Sequence, residues 1–402
     1  MISDVYFPRV NGVSTSIQTF RRELARLDCQ VTLVVPEYEG VQTTAVLDDD
    51  ADVVRVRSGR VLFDPEDRRL HWRALMRALN GLPGQFDLVH VQTPFFAHYA
   101  GLRYARAHGL PCVATYHTLF EEYLHHYLPL APRALTARLA RSISRGQCNA
   151  LDGVIVPSSA MTDRLRTYGV DVPLPILPTG IDLGRLIGGD GPGFRAQHAI
   201  APDQPTLVCV GRVAFEKNLD FLLRMMAQAV ELLPTASPTP VLVICGEGPA
   251  VPSLMRQARA LGIERHLRFV GYLDRSGPLL DCYRAGDLFV FASNTETQGL
   301  VLLEAMALGV PVVSTAVMGT RDVLREGEGA AIVPEDEAVF AARVVQLLVD
   351  RDARLALAAK ARPYAQTWSA GAMAGRLFKW YGETIERRRR AGGVATALAR
   401  PS

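Results

Sequence analysis

Short apolar runs alternate with longer amphipathic stretches through most of this chain. "QVTLVVP" (30–36), "FDLVHVQ" (86–92), "PCVATYH" (111–117) and "DGVIVPS" (152–158) are compact, rich in valine and closed by a polar residue or proline. Runs of this kind predict strands buried on both faces, as in a parallel sheet. Between them, "SIQTFRRELARL" (16–27) and "HYAGLRYARAHG" (98–109) carry helical periodicity, the second with Gly109 as its expected C-cap.

The pattern then restarts. "PTLVCVGR" (205–212), "PVLVICGEG" (240–248), "LRFVGYL" (267–273), "DLFVFAS" (287–293) and "VPVVSTA" (310–316) predict five further strands, separated by helices such as "LDFLLRMMAQAVELL" (219–233). Strands alternating with helices imply parallel sheets with right-handed crossovers, and two such sets imply two doubly wound α/β domains. Their joint falls near "LPTGIDLGRL" (177–186). The expected domains are therefore 1–180 and 181–365, followed by a C-terminal helix over 366–390 that packs back toward the first domain. A tail over 391–402, "AGGVATALARPS" from Ala391, lacks periodicity and is expected to be disordered. Only Met1 to Ser3 precede the first loop, which is short for a central strand. The expectation is a biological start upstream, with Met1 internal to that strand.

Length and composition narrow the field. At 402 residues the chain is long for one core. It is 49% hydrophobic and 21% charged with a formal net charge of +3, which gives no argument for nucleic acid. Its six cysteines are far apart with no CxxC pair, which points to a reducing cytoplasm and away from a zinc site or disulfide framework. No secretory signal or bilayer-length apolar run is visible, so any membrane contact is expected to be peripheral.

Doubly wound sheets bind ligands at the carboxyl ends of their strands. In "VGRVAFEKN" (210–218) a strand ends at Gly211, and Arg212 and Lys217 follow as the next helix begins. A guanidinium and an ammonium beside a helix start suit a diphosphate, the alternative being two solvated surface charges. In "TETQGLVLLEAMALGVPVV" (295–313) Glu296 lies in a loop, Gly299 opens the backbone and Glu304 lies about one turn, roughly 5–7 Å, inside an apolar helix. A carboxylate accepts bonds from two vicinal hydroxyls. Two of them flanking anion-binding amides suit a sugar on one side of a diphosphate and a ribose on the other.

"GRVAFEKN", "CGEGP", "RFVGYL" and "ETQGLVLLEAMALGVPVV" resemble the donor half of retaining glycosyltransferases of the GT-B fold, glycosyltransferase family 4. "DVYFPRVNGVSTSI" and "VHVQTPF" resemble the acceptor half. The resemblance implies two doubly wound Rossmann-like domains facing across a cleft. It assigns Arg212 and Lys217 to the donor diphosphate, Glu296 to hexose hydroxyls and Glu304 to the ribose. Gln298, Gly299 and Leu300 turn about sugar and phosphate, Gly271, Tyr272 and Leu273 face the base, and Gly12 meets the phosphate from the first domain. In "ATYHTLFEEYLHHYLP" (114–129), His117 is the expected contact to the reacting sugar, accompanied by Tyr116, Thr118, Glu122, Tyr123 and Tyr127. That string and "TETQG" resemble the diacylglycerol glucosyltransferase subgroup. The catalytic set implied is His117, Glu296, Arg212 and Lys217.

The partners implied are a nucleotide-sugar donor, UDP-glucose ahead of GDP-mannose, and a hydroxyl acceptor. A glycerolipid leads, ahead of a polyprenyl-linked or polysaccharide acceptor. No metal or other cofactor is expected: Asp48, Asp49 and Asp50 fall far from every phosphate signal, and Arg212, Lys217 and helix amides take the metal's part. Arg138, Arg141 and Arg145 share a helix face opposite Leu135, Leu139 and Ile143, a basic amphipathic pattern suited to anionic lipid at the inner face of the cytoplasmic membrane. The run Arg387–Arg390 invites the same reading, or simple solvation. The same fold also hosts sugar-nucleotide epimerases and sugar phosphorylases, which the sequence leaves open.

Overall fold

The computed structural model describes residues 1–9, 11–38, 52–61, 64–117, 133–235, 237–275, 277–296 and 298–398. They form two compact units, one of residues 1–179 with 373–402 and one of residues 180–372. The chain thus passes from one unit to the other twice. The aspartates Asp48 to Asp50 and the string Thr118, Glu122, Tyr123 and Tyr127 lie outside the described residues.

In the first unit, β1 (Leu33–Pro36) pairs in parallel with β2 (Val53–Val56), and β3 (Ser58–Val61) and β4 (Asp64–Leu70) form an antiparallel hairpin. The strands β5 (Val89–Val91), β6 (Cys112–Thr115) and β7 (Gly153–Ile155) pair in parallel. Ile2 bridges Val34 on one side and Val91 on the other, so the order across the sheet is β2, β1, Ile2, β5, β6, β7. Period-two alternation sorts β1 between two cores. Leu33 and Val35 pack with Tyr6 and Ile17, while Val34 packs with Ile2, Val89 and Val91.

The second unit holds six parallel strands: β8 (Thr206–Val210), β9 (Val241–Cys245), β10 (Leu267–Gly271), β11 (Leu288–Phe291), β12 (Val312–Ser314) and β13 (Ala330–Ile332). Their spatial order is β10-β9-β8-β11-β12-β13, which reverses direction between β8 and β11. All five residues of β8 and of β9 are buried, as their uninterrupted apolar runs require. Every strand expected from the sequence is present, and β2, β3, β4 and β13 are additional. β13 is only three residues and the hairpin is polar, so neither carries a valine-rich signal.

The last helix, Ala370–Leu398, continues through Ala391, where the sequence led us to expect disorder. Ala391, Ala395, Ala397 and Leu398 are strong helix formers, and they extend a helix already nucleated by its packing against the first unit. That packing is specific. The Trp380 ring fills the space beside Gly153, where a Cβ would stand 2.7 Å from Cζ2. The Tyr381 hydroxyl lies 2.5 Å from His90 Nδ1. The arginine run engages acids of the same unit: Arg388 reaches Asp152 at 3.5 Å and Arg389 reaches Asp87 at 3.6 Å. Among the described residues, no helix is long and apolar enough to cross a membrane.

Trp380 is 7% exposed. Trp380→Ala is expected to destabilise the first unit by about 3–5 kcal/mol, read as a lowered denaturant midpoint. An unchanged midpoint would show that this helix is not part of that core.

Candidate functional site

The reversal of strand order between β8 and β11 sends the chain away on opposite sides of the sheet and leaves a crevice at their carboxyl ends. Both motifs singled out in the sequence occupy that place. After β8, residues 211–218 turn through a short helical segment, Phe215–Lys217, to Asn218 in the left-handed conformation at φ 55°. The Asn218 amide holds this turn by donating to the Ala292 carbonyl at 3.1 Å and to Glu335 Oε1 at 2.8 Å. After β11, the loop reaches Gly299 at φ +69°, which opens the helix Leu300–Ala307. A Cβ on Gly299 would lie 3.0 Å from Leu302 Cδ1 and 3.1 Å from Thr320 Cγ2, so both backbone sign and space favour glycine.

These loops bring Lys217 and Glu296 together. Lys217 Nζ donates to Glu296 Oε2 at 2.8 Å, with both side chains about four-fifths buried. Glu296 is therefore no helix cap; Gly299 takes the N-cap position and, among the described residues, no side chain caps that helix. The Glu296 carbonyl accepts from Gly319 N at 2.9 Å, which fixes the loop from behind. Arg212, from the same turn, is exposed and pairs locally with Glu216 rather than with Glu296. Gln298 and Leu300 are half-buried beside buried Gly299.

Glu304 is 5% exposed on the helix Leu300–Ala307. Its carboxylate accepts from Arg275 Nη1 at 2.8 Å and from the Tyr283 hydroxyl at 2.8 Å. Burial and the Glu304 charge hold the Tyr283 hydroxyl well above its ordinary value, so it stays a donor. Two partners leave the carboxylate further acceptor capacity. Neither partner was anticipated from the sequence. Tyr283 reads as a core aromatic within "LLDCYRAG", whereas Arg275, a basic residue just past a strand end, carried the same signal that exposed Arg212. Gly271, at φ +71°, ends β10, and Tyr272 and Leu273 follow it, with the Tyr272 side chain exposed.

The ends of β8 and β9 are locked by close backbone contact. A Cβ on Gly246, at φ +136°, would stand 1.9 Å from the Gly211 carbonyl oxygen. Val213 N donates to the Glu247 carbonyl at 2.8 Å. The strand end preceding Arg212 is thus held by main-chain geometry.

In the first unit, Gly12 is exposed at the start of the helix Gly12–Ala25, which Asn11 caps through Ser14 N. His117 follows β6, and its Nε2 lies 2.9 Å from Gln92 Oε1. Burial pushes the His117 imidazole down to about 4, so the ring is neutral and Nε2–H donates to the amide oxygen. Gln92 ends the run "FDLVHVQ"; its position at a strand end was the signal for it. Beside it, Asp4 is buried and accepts from Thr93 Oγ1 at 2.7 Å and Ala97 N at 3.1 Å. Burial pushes its carboxyl up to about 6 against these bonds. Tyr116 lies 3.2 Å from Ser144 Oγ. On the helix Arg133–Asn149, Ala140, Ser144 and Cys148 face inward, while Arg138, Arg141, Arg145 and Leu139 are exposed. No group of three or more His, Cys, Asp or Glu is placed to hold a metal ion among the described residues.

Comparison with known proteins bears on both units. A family model described as Glycosyltransferase Family 4 matches residues 10–185, and one described as Glycosyl transferases group 1 matches residues 192–364. The chain is 32% identical over 320 residues to an alpha-monoglucosyldiacylglycerol synthase of Streptococcus pneumoniae, covering 78% of this chain and 70% of that protein. It is 35% identical over 297 residues to a D-inositol 3-phosphate glycosyltransferase of Rhodococcus opacus, covering 71% and 65%. In fold it is similar to Anabaena Alr3699/HepE, solved in complex with UDP, with a TM-score of 0.72 at 17% identity over 95% of this chain and 98% of that one. The same protein was solved with UDP-glucose. The two doubly wound units are those of the GT-B fold.

The buried histidines set a stability profile. Burial lowers His98 and His117 to about 4 from an ordinary 6.5, and His90 also titrates well below it. Between these values the unfolded chain binds the extra protons, so stability falls as pH drops from 6.5 toward 4. Asp4, raised to about 6 from 3.8, opposes this because the fold binds its proton first. Three rings outweigh one carboxyl, and the melting temperature is expected to fall across that window. A flat or rising profile would contradict the neutral, buried rings.

Proposed function

The chain belongs to glycosyltransferase family 4, and from that premise we propose that it moves glucose from UDP-glucose to a hydroxyl of a membrane glycerolipid with retention of anomeric configuration. The observation that carries this reading is the 2.8 Å contact of Lys217 with Glu296 at the switch point. A cation suited to diphosphate and a carboxylate suited to hexose hydroxyls meet at one spot, beside the free amides of a helix start. Support for glucose and for a glycerolipid comes from the named relative of Streptococcus pneumoniae, and for a uridine nucleotide from the ligands of Alr3699/HepE.

In this reading the donor diphosphate draws Lys217 and Arg212, and the hexose hydroxyls take up the Glu296 oxygens. Gln298, Gly299 and Leu300 line the turn around sugar and phosphate, and Glu304, steadied by Arg275 and Tyr283, accepts from the ribose. Gly271 to Leu273 face the base. The neutral His117 imidazole, its Nε2–H committed to Gln92, offers Nδ1 to a hydroxyl of the reacting sugar. The acceptor hydroxyl attacks the anomeric carbon from the face the diphosphate leaves. The anomeric C–O bond to phosphate breaks as the new glycosidic bond forms, and a phosphate oxygen takes the acceptor's proton. The protein contributes position and charge stabilisation. The outward arginines and Leu139 of the helix Arg133–Asn149 suit anionic lipid at the inner face of the cytoplasmic membrane, where such an acceptor resides.

A second reading, an inositol phosphate acceptor, is favoured by the Rhodococcus opacus relative. Incubation with UDP-glucose and each acceptor, followed by proton NMR of the product, separates them. An α-linked glucosyl glycerolipid is expected; a β-linked product would overturn retention, and exclusive use of the inositol phosphate would overturn the acceptor. Lys217→Ala and Glu296→Ala are each expected to lower kcat/KM by about 10²–10³-fold with the melting transition preserved. Near-normal turnover in both would discredit the site.

A further inference from the structure

The first unit contains a cavity of about 370 Å³ that none of the donor groups explains. Its inner walls are the sheet residues Ala114 and Val154, Phe96 of the helix Phe96–His108, and Cys148 and Leu151 at the end of the helix Arg133–Asn149. Its polar edge comes from the strand ends, Asp4, Gln92, Thr93 and His117, together with Asn11, His98, Arg68 and Arg69.

Most of the polar groups on the inner walls are already committed. Thr93 Oγ1 donates to Asp4 at 2.7 Å, and Thr115 Oγ1 contacts His90 Nε2 at 2.7 Å. Ser144 meets the Tyr116 hydroxyl at 3.2 Å, and Gln147 donates to the Pro94 carbonyl at 2.8 Å. No lining side chain among the described residues carries a buried nitrogen or oxygen without a partner. A void with mainly apolar walls, whose inner polar groups are paired, repels water and accepts hydrocarbon. At the roughly 30 Å³ a water-sized group occupies, it has room for about a dozen methylenes. The groups equipped to meet a hydroxyl, His117 among them, stand at the edge.

The geometry points to this cavity as the subsite for one acyl chain of the acceptor, which enters with its hydroxyl end toward His117 and its chain between the sheet and the helix Arg133–Asn149. This inference rests on the glycerolipid reading above and adds to it a location and a length. One chain is held and measured; the other stays outside.

The test is a series of diacylglycerols in which one chain is fixed and the other runs from about four to about eighteen carbons, presented in detergent micelles with UDP-glucose. For the wild type, kcat/KM at a fixed mole fraction of acceptor in the micelle is expected to vary about threefold or more with chain length and to level off near a dozen carbons. Ala114→Phe and Leu151→Phe fill the cavity. Each is expected to bring the plateau to shorter chains and to lower kcat/KM for long-chain acceptors about tenfold or more, while the shortest acceptor is used as before. A length-independent wild-type rate, or wild-type profiles in variants that melt normally, would overturn the assignment. The wild-type series alone decides the matter if both variants unfold. Glucosylation of glycerolipids without any dependence on length would sink only the cavity. Failure with every glycerolipid, beside turnover of inositol phosphate, would sink the acceptor reading as well.

Discussion

In a parallel sheet every strand delivers its chain to the same edge, and where the strand order reverses, two neighbouring deliveries part in opposite directions. The gap they leave follows from topology and from the right hand of the crossovers, whatever the side chains. In the second unit that gap lies between β8 and β11. Lys217 and Glu296, 79 residues apart in the chain, face each other there because their strands are adjacent. The ion pair is thus a consequence of strand order first and of charge second.

The charges at this edge are managed differently according to burial. Glu304 is nearly enclosed and has two fixed donors, one of them a phenol that burial keeps protonated. A lone carboxylate at that depth would carry a heavy desolvation penalty. Lys217 and Glu296 are more open and have each other, an arrangement that can be exchanged for a ligand's anion and hydroxyls without leaving either group bare. Arg212 stands outermost and, among the described residues, pairs with its near neighbour Glu216. The three arrangements form a gradient from fixed to exchangeable to exposed.

Much of this was legible in the sequence, and the reasons for success and failure are physical. Buried parallel strands must be apolar along their length, so "TLVCV" and "VLVIC" announce themselves, as does the glycine that opens the helix after β11. Strand-end polar residues were equally visible, and that rule brought Lys217, Glu296 and His117 to attention, while Glu304 stood out as an acid inside an apolar helix. What escaped were residues whose role depends on a partner distant in the chain. Tyr283 sits in a helix where an aromatic normally means core, and only the fold shows its hydroxyl against Glu304. Arg388 and Arg389 read as a solvated or lipid-facing run, because Asp152 and Asp87 lie more than 200 residues away. The helical continuation past Arg390 was missed because its two glycines mask the alanines around them.

The dependence of the first unit on its distant last helix bears on how the protein is made. Trp380 and Tyr381 complete a core whose other walls are all synthesised before residue 180. On a ribosome the opening half therefore emerges with a flank bare, and it waits in that state while the whole of the second unit is translated. The contiguous second unit can close its core first. The part that begins the polypeptide is the part finished last.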